Sequence, residues 1–96
     1  MAIGVLATMK IKPGTNQAFE AAAKELMAVV RAEEPGNKVY QFCKSRTDET
    51  TYIVLELYAD QAALDAHGKS DKFRAVGAKM GPSMAGRPEV QRLDAI

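Results

Sequence analysis

Residues 51–59, TYIVLELYA, decide the fold of this chain. Aromatic and β-branched residues, which favour strands, make up most of the segment. Successive side chains of a strand point to opposite faces, so one face carries Ile53, Leu55, Leu57 and Ala59, and the other carries Tyr52, Val54, Glu56 and Tyr58. We expect helices to cover the first set. The second set is too apolar to lie entirely in water and too polar for a closed core, so we expect a second copy of the sheet to cover it.

The segments on either side of this strand follow the periods of strands and helices. Alternating side chains indicate strands, apolar residues at three- and four-residue spacing indicate helices, and Pro-Gly pairs separate the elements. These patterns predict a strand over Ile3–Lys12, a helix between Asn16 and Pro35, a strand over Lys38–Arg46, a strand over Thr51–Ala59, a short helix over Gln61–His67 ended by Gly68, a second short helix after Ser70, and a last strand over Glu89–Asp94.

This order of elements predicts the fold class. Residues 1–96 are expected to form a single α+β domain with a ferredoxin-like, antiparallel four-stranded sheet and helices on one face. If the other faces of two such sheets meet, the result is a homodimer in which each subunit holds a partly polar cavity.

Composition argues against several classes of partner. Thirteen basic residues balance twelve acidic ones, so the chain lacks the concentrated basic surface that nucleic acid binding needs. No apolar run approaches the roughly 20 residues of a membrane span. The first residues have the pattern of a strand and not of a signal peptide, and the single cysteine, Cys43, cannot form an internal disulfide. Both observations favour a cytoplasmic location.

The sequence also lacks the usual motifs for cofactors. One histidine and one cysteine, far apart, do not make a metal site, and neither a phosphate-binding loop nor a dinucleotide fingerprint is present. We therefore expect no metal and no organic cofactor, and a small molecule as the ligand.

Five residues are candidates for chemistry. His67 is the only histidine, and histidine is the residue type whose ordinary pKa lies near neutrality, but a lone histidine on the inner face of a short helix often only packs. Glu56 lies in the middle of an apolar strand, where a carboxylate either faces a cavity or a wet surface. The aromatic candidates suit either a ligand pocket or a dimer interface, and they are Tyr40, Tyr52 and Tyr58.

Four segments resemble the antibiotic biosynthesis monooxygenase family. They are Lys12-Pro13-Gly14, Glu34-Pro35-Gly36 followed by Tyr40, the strand from Tyr52 to Tyr58, and the helix from Asp60 to His67 with Ser70 and Phe73 after it. The resemblance implies a dimeric α+β barrel with a cavity in each subunit, and it matches Glu56 and His67 to recurrent acidic and histidine positions. Tyr58 stands where many members have Trp, and the chain contains no Trp, which disfavours the haem-degrading branch.

The resemblance implies a cofactor-independent monooxygenase that oxidises a small electron-rich aromatic such as a hydroquinone or an anthrone. His67 would be the base, Glu56 its orienting partner or a hydrogen-bond acceptor for the substrate, and the three tyrosines the walls for the substrate. Two alternatives stay open. One is an isomerase of a small phosphorylated hydroxyketone, as in the autoinducer-processing relative, and the other is a dimer that binds a small ligand without turnover.

Overall fold

The computed structural model describes residues 1–96. Its elements are β1 (Ile3–Lys10), α1 (Asn16–Glu33), β2 (Asn37–Lys44), β3 (Thr51–Tyr58), α2 (Gln61–Lys69), α3 (Asp71–Gly77), a 3₁₀ helix (Ala78–Ser83) and β4 (Glu89–Asp94). The four strands form one antiparallel sheet in the order β2-β3-β1-β4. This arrangement confirms the ferredoxin-like α+β fold, because each helical connection crosses the sheet on the same side.

The core lies between α1 and the sheet. Leu26 and Val30 of α1 are almost fully buried, as is Phe19, whose ring lies 4.6 Å from that of Tyr52 and 5.9 Å from that of Phe42. Burying a side chain of this size stabilises the fold by about 1.5–3 kcal/mol. The amphipathic pattern of α1 therefore works as predicted, with its apolar stripe against the sheet.

The structure reverses the predicted assignment of the two faces of β3. Tyr52, Val54 and Tyr58 lie under the helices and are at most 3% exposed, whereas Leu55 lies on the uncovered face and is 41% exposed. The alternation was predicted correctly. The side was not, because both faces of the strand are apolar and the period carries no information on which one meets a helix. The uncovered face presents Leu6, Val39, Ile53, Leu55, Leu57 and Leu93.

Several boundaries differ by a few residues. β1 ends at Lys10, and β2 covers Asn37–Lys44 and not Lys38–Arg46. Gly68 does not end α2, which continues to Lys69, because Ser70 provides the break and caps α3 through the Phe73 amide (3.1 Å). No helix of the structure is long and apolar enough to cross a membrane.

Gly36 fixes how the turn between α1 and β2 meets α2. A Cβ atom at this position would lie 2.5 Å from the Cβ of Ala63 in α2, so only glycine permits the approach. The Gly36 carbonyl also accepts a hydrogen bond from the Ala59 amide at 2.9 Å. The turn is therefore held against the start of α2. This contact positions Glu34, the residue just before the turn.

Candidate active site

A cavity of about 480 Å³ lies on the helix-covered side of the sheet, between the strands and α2 and α3. Its inner wall includes Val5 and Ala7 of β1, and its polar lining includes Glu56 and His67. This volume falls within the range of small-molecule sites. The strand face that we expected to lie in a dimer interface thus forms part of a cavity within one subunit.

His67 is fixed near the end of α2 and is only 8% exposed. The Asp60 carboxylate caps the start of this helix by accepting a hydrogen bond from the Ala63 amide (2.9 Å). The imidazole ring lies 4.0 Å from the ring of Phe73, and two tyrosine rings lie further away, Tyr58 at 5.2 Å and Tyr40 at 5.6 Å. The helix and the aromatic side chains together hold the imidazole in a defined orientation.

Glu34 orients the imidazole from one side. Nδ1 of His67 lies 2.8 Å from Oε1 and 3.0 Å from Oε2 of Glu34, whose side chain is 8% exposed. An ionised carboxylate only accepts hydrogen bonds, so Nδ1 must carry the proton of this contact. In the neutral ring, Nε2 is then left without a proton and can act as a base.

Glu56 lies on the other side of the imidazole. Its Oε1 is 3.9 Å from Nε2 of His67, which is longer than a hydrogen bond, and accepts a hydrogen bond from the Tyr58 hydroxyl at 2.6 Å. Burial raises the pKa of the Glu56 carboxyl above its ordinary value, against the opposing effects of the Tyr58 hydrogen bond and the nearby His67. A substrate hydroxyl about 2.7–2.8 Å from both Nε2 and Oε1 would fit over this gap.

The structure brings four of the five predicted residues together and leaves one apart. Tyr40 lines the cavity beside His67 and Glu56. Tyr58 lies behind Glu56 and holds it through the hydroxyl contact, without lining the cavity itself. Tyr52 belongs to the core under α1, where its hydroxyl contacts Glu20 and Asn16. Burial raises the pKa of Tyr40 and of Tyr58 well above the ordinary value, so both hydroxyls stay protonated.

Sequence reasoning missed the role of Glu34. It lies 33 residues before His67, and no local pattern connects the two. A signal was present in the Glu34-Pro35-Gly36 turn, since a glycine after a proline marks a tight turn and so fixes the direction of the residue before it. That signal does not say which element the turn contacts.

The site can bind a polar group and move a proton. It offers one imidazole nitrogen as base, one buried carboxyl and protonated tyrosine hydroxyls, at the inner end of a cavity with mixed polar and apolar walls. No group of three or more His, Cys, Asp or Glu side chains is arranged to hold a metal ion. The class that the fold and site define is therefore a small ferredoxin-like protein with an acid–base cavity under its helices.

Sequence comparison then identifies the family. Residues 2–79 match the family described as Antibiotic biosynthesis monooxygenase, and the chain belongs to it. YcnE of Bacillus subtilis strain 168 is 34% identical over 73 residues, which is 76% of each chain. A crystal structure from Caulobacter crescentus CB15 is 50% identical with a TM-score of 0.95, covering 99% of this chain and 90% of that one. Both of these proteins are named as putative monooxygenases.

The fold is shared more widely than the sequence. Rv0793 from Mycobacterium tuberculosis is 22% identical, with a TM-score of 0.87 over 100% of this chain and 96% of its own. At this identity the likeness concerns the fold alone.

Proposed function

We propose that this protein is a cofactor-independent monooxygenase that oxidises a hydroquinone or anthrone with O₂. The observation that supports this most is the contact between Glu34 and Nδ1 of His67, which leaves Nε2 facing the cavity as a base. Membership of the monooxygenase family supports the proposed reaction class. The substrate and the chemistry are our proposal.

The reaction begins with a proton transfer. Nε2 of His67 takes the proton of a substrate hydroxyl, or of the activated CH₂ of an anthrone, and Glu34 stabilises the imidazolium that forms. Burial raises the pKa of the Glu56 carboxyl and so favours its protonated form, which can donate a hydrogen bond to the oxygen on which negative charge develops. The Tyr58 hydroxyl donates a hydrogen bond to Glu56 and so keeps that carboxyl in place.

Oxygen then reacts with the deprotonated ring. The electron-rich anion reduces O₂ and a carbon–oxygen bond forms, giving a peroxide. His67 returns its proton to the peroxide, and loss of water then leaves one oxygen atom on the product while the other ends in water. All electrons come from the substrate, so hydroquinone plus O₂ gives hydroxyquinone plus water.

Oxygen consumption tests the proposal. Purified protein and unsubstituted hydroquinone should consume O₂ faster than the spontaneous oxidation, and the product should carry one label from ¹⁸O₂. Metal and flavin content should be measured on the same sample, because a stoichiometric signal of either would contradict a cofactor-independent reaction. Oxygen uptake equal to the protein-free control across a panel of hydroquinones and anthrones would overturn the proposal.

A second candidate function is supported by two cationic side chains. Lys69 and Arg92 line the same cavity as His67, and they could hold the phosphate of a small phosphorylated hydroxyketone. His67 and Glu56 would then move a proton next to the carbonyl. Exchange of substrate protons with deuterated water, without oxygen uptake, would support this isomerase; binding with neither activity would support a protein that only binds its ligand.

We also propose that the protein is a homodimer, with the uncovered sheet faces of two copies in contact. Three of the apolar residues on or beside this face are strongly exposed, Val39 at 42%, Leu55 at 41% and Leu93 at 41%. Such a face is unusual for a monomer, and a second copy offers a matching one. The proposed dimer thus uses the face opposite to the one that the sequence suggested.

Light scattering tests the dimer. The mass in solution should be twice the 10.4 kDa of the chain. Leu55→Glu places a charge in the middle of the proposed interface and should give a folded monomer. Ala21→Glu, on an exposed position of α1, is the matched control and should remain a dimer. A wild-type monomer at micromolar concentration would contradict the proposal.

A further inference from the structure

Tyr40 is the one tyrosine of the chain whose hydroxyl has no partner within the protein. The Tyr52 hydroxyl donates a hydrogen bond to Glu20. The Tyr58 hydroxyl donates one to Glu56. The Tyr40 hydroxyl makes no hydrogen bond to any protein group, although the residue is only 4% exposed. Native structures pair nearly all of their buried polar groups, because an unpaired one costs free energy. The Tyr40 hydroxyl is therefore available to a bound molecule.

The surroundings of this hydroxyl point to the cavity that holds His67. Every fully enclosed side-chain nitrogen or oxygen has a hydrogen-bond partner, so the unpaired hydroxyl must reach a space that a small molecule can enter. Of the pockets that Tyr40 borders, only the cavity of about 480 Å³ is also lined by His67 and Glu56. Burial raises the pKa of Tyr40, and the charges of Glu56 and Glu34 raise it further. The hydroxyl is therefore close enough to both carboxylates to feel their charge.

Tyr40 and Glu56 are neighbours on one face of the sheet. They lie directly opposite each other in the pairing of β2 with β3, where the Cβ atoms of such a pair are about 4.5–5.5 Å apart. The Tyr40 ring lies 5.6 Å from the imidazole of His67. It is held by edge contacts with two phenylalanine rings, Phe42 at 5.8 Å and Phe73 at 6.3 Å. A fixed phenol thus adjoins both the base and the buried carboxyl.

We propose that Tyr40 is a catalytic residue, the second hydrogen-bond donor to the oxygen on which negative charge develops when His67 takes its proton. This inference rests on the proposed function, because it places the reacting oxygen beside His67. The hydroxyl keeps its own proton throughout, and the hydrogen bond that it donates is stronger to the anion than to the neutral hydroxyl. Tyr40 breaks no contact within the protein in order to donate, so the donor is in place before the charge forms.

Binding of 4-nitrophenol tests the proposal without requiring turnover, because the anion has a visible absorption band that the neutral phenol lacks. The wild-type protein should bind part of the probe as the anion at a pH below that at which the probe ionises in water. Tyr40→Phe should lower the ratio of bound anion to bound neutral phenol by about tenfold or more, the effect of one hydrogen bond to a charged oxygen. Tyr52→Phe removes a hydroxyl outside the cavity and should leave the ratio unchanged.

Melting curves of the same two variants give a second readout. Tyr40→Phe should keep or raise the melting temperature, because the hydroxyl that it removes has no partner in the protein. Tyr52→Phe loses contacts with Glu20 and Asn16 and should lower the melting temperature. A Tyr40 hydroxyl that only stabilised the fold would give the opposite result, a lower melting temperature with an unchanged anion ratio.

Three outcomes would overturn the proposal: no bound anion in the wild type, the same anion ratio in the wild type and in Tyr40→Phe, or a clearly lower melting temperature of Tyr40→Phe. The oxygen uptake test is independent of these readouts. Oxygen uptake by the wild type together with an unchanged anion ratio in Tyr40→Phe would refute the role of Tyr40 alone. A lowered ratio without oxygen uptake would refute the monooxygenase and leave the anion-stabilising site in place.

Discussion

Two tyrosines on the same face of β3 each donate a hydrogen bond to a glutamate, and the surroundings of the two pairs differ. Tyr52 donates to Glu20 at the edge of the core, where the Glu20 side chain is 41% exposed and Lys44 lies 3.9 Å away. Tyr58 donates to Glu56, whose side chain is 8% exposed and faces the cavity. The first pair is open to water and the second is enclosed.

The difference shows what separates a structural contact from a candidate site in this fold. In both pairs a tyrosine of β3 is the donor and a glutamate is the acceptor, so the hydrogen bond itself carries no functional information. Glu56 is buried, which raises its pKa, and it has an imidazole next to it, whereas Glu20 lies at the surface beside a lysine. We infer that burial of the carboxylate beside a histidine, and not the tyrosine contact, marks the site.

Removing the imidazole of His67 should have the largest effect on activity. His67→Asn keeps an amide donor for Glu34 but removes the base, so kcat/KM for the best substrate should fall by about 10²–10⁴-fold. The melting temperature should change far less, because the amide still satisfies the buried carboxylate. Steady-state kinetics and thermal melting of both proteins check this. A well-folded variant with full turnover would make His67 a packing residue.

Neutralising Glu34 should have the next largest effect. Glu34→Gln can still accept a hydrogen bond from Nδ1, but the contact loses its charge, which is worth about 1–1.5 kcal/mol and corresponds to roughly tenfold in kcat/KM. Glu33→Gln, its exposed neighbour that contacts Lys72, is the matched control and should keep wild-type kinetics. Equal kinetics in both variants would remove the orienting role of Glu34.

Neutralising Glu56 should affect stability in a pH-dependent way. Burial raises the pKa of the Glu56 carboxyl in the folded state. Between the ordinary carboxyl pKa and the raised one, the folded protein therefore binds more protons than the unfolded chain. Its free energy of unfolding falls as the pH increases through that window. Glu56→Gln removes this decline. At neutral pH the variant should be more stable than the wild type, while at about pH 4 the two proteins should differ little.

Melting curves at several pH values and one fixed protein concentration measure this effect, since a dimer melts in a concentration-dependent way. Activity should fall in Glu56→Gln while stability rises, a trade-off that a purely structural residue would not show. A variant less stable than the wild type at neutral pH would mean that the carboxylate is favourable where it lies.

The smallest effect should come from the tyrosine outside the site. Tyr52→Phe removes the contacts with Glu20 and Asn16 and should lower the free energy of unfolding by about 0.5–1.5 kcal/mol with unchanged kcat/KM. Tyr58→Phe removes an equivalent hydroxyl and should lower kcat/KM, because Glu56 loses the group that holds it. If both variants behave alike in kinetics, the distinction between the two pairs fails.

The sequence predicted the fold better than the site because the strands and helices follow the spacing of apolar residues along the chain. Alternation in β1 and β3 and the apolar stripe of α1 are visible along the chain, and each describes an element that forms as expected. The side of β3 that meets the helices was wrong, since Tyr52 and Leu55 lie on opposite faces that are about equally apolar. The packing of the helices on the sheet, including that of Phe19 against Tyr52, decides between them.

The candidate site depends on contacts between segments that are distant in the sequence. The spacing of apolar residues along the chain does not reveal such contacts. His67 and Glu56 were suggested by residue type and by family resemblance, and the structure places them on the same cavity. Tyr52 lies on the same face of β3 as Tyr58, but it packs under α1. Glu34 reaches His67 only because Gly36 allows the turn to touch α2, a tertiary contact that a sequence does not display.

The protonation of the imidazole tests the central claim most directly. His67 is the only histidine, so the ¹⁵N chemical shifts of its ring can be measured by NMR without any assignment by mutagenesis. At a pH where the ring is neutral, we expect Nδ1 to carry the proton and Nε2 to have none, and Glu34→Gln to weaken this preference. A ring protonated at Nε2 in the wild type would contradict the account, because the nitrogen that faces the cavity could not then accept a proton from a substrate.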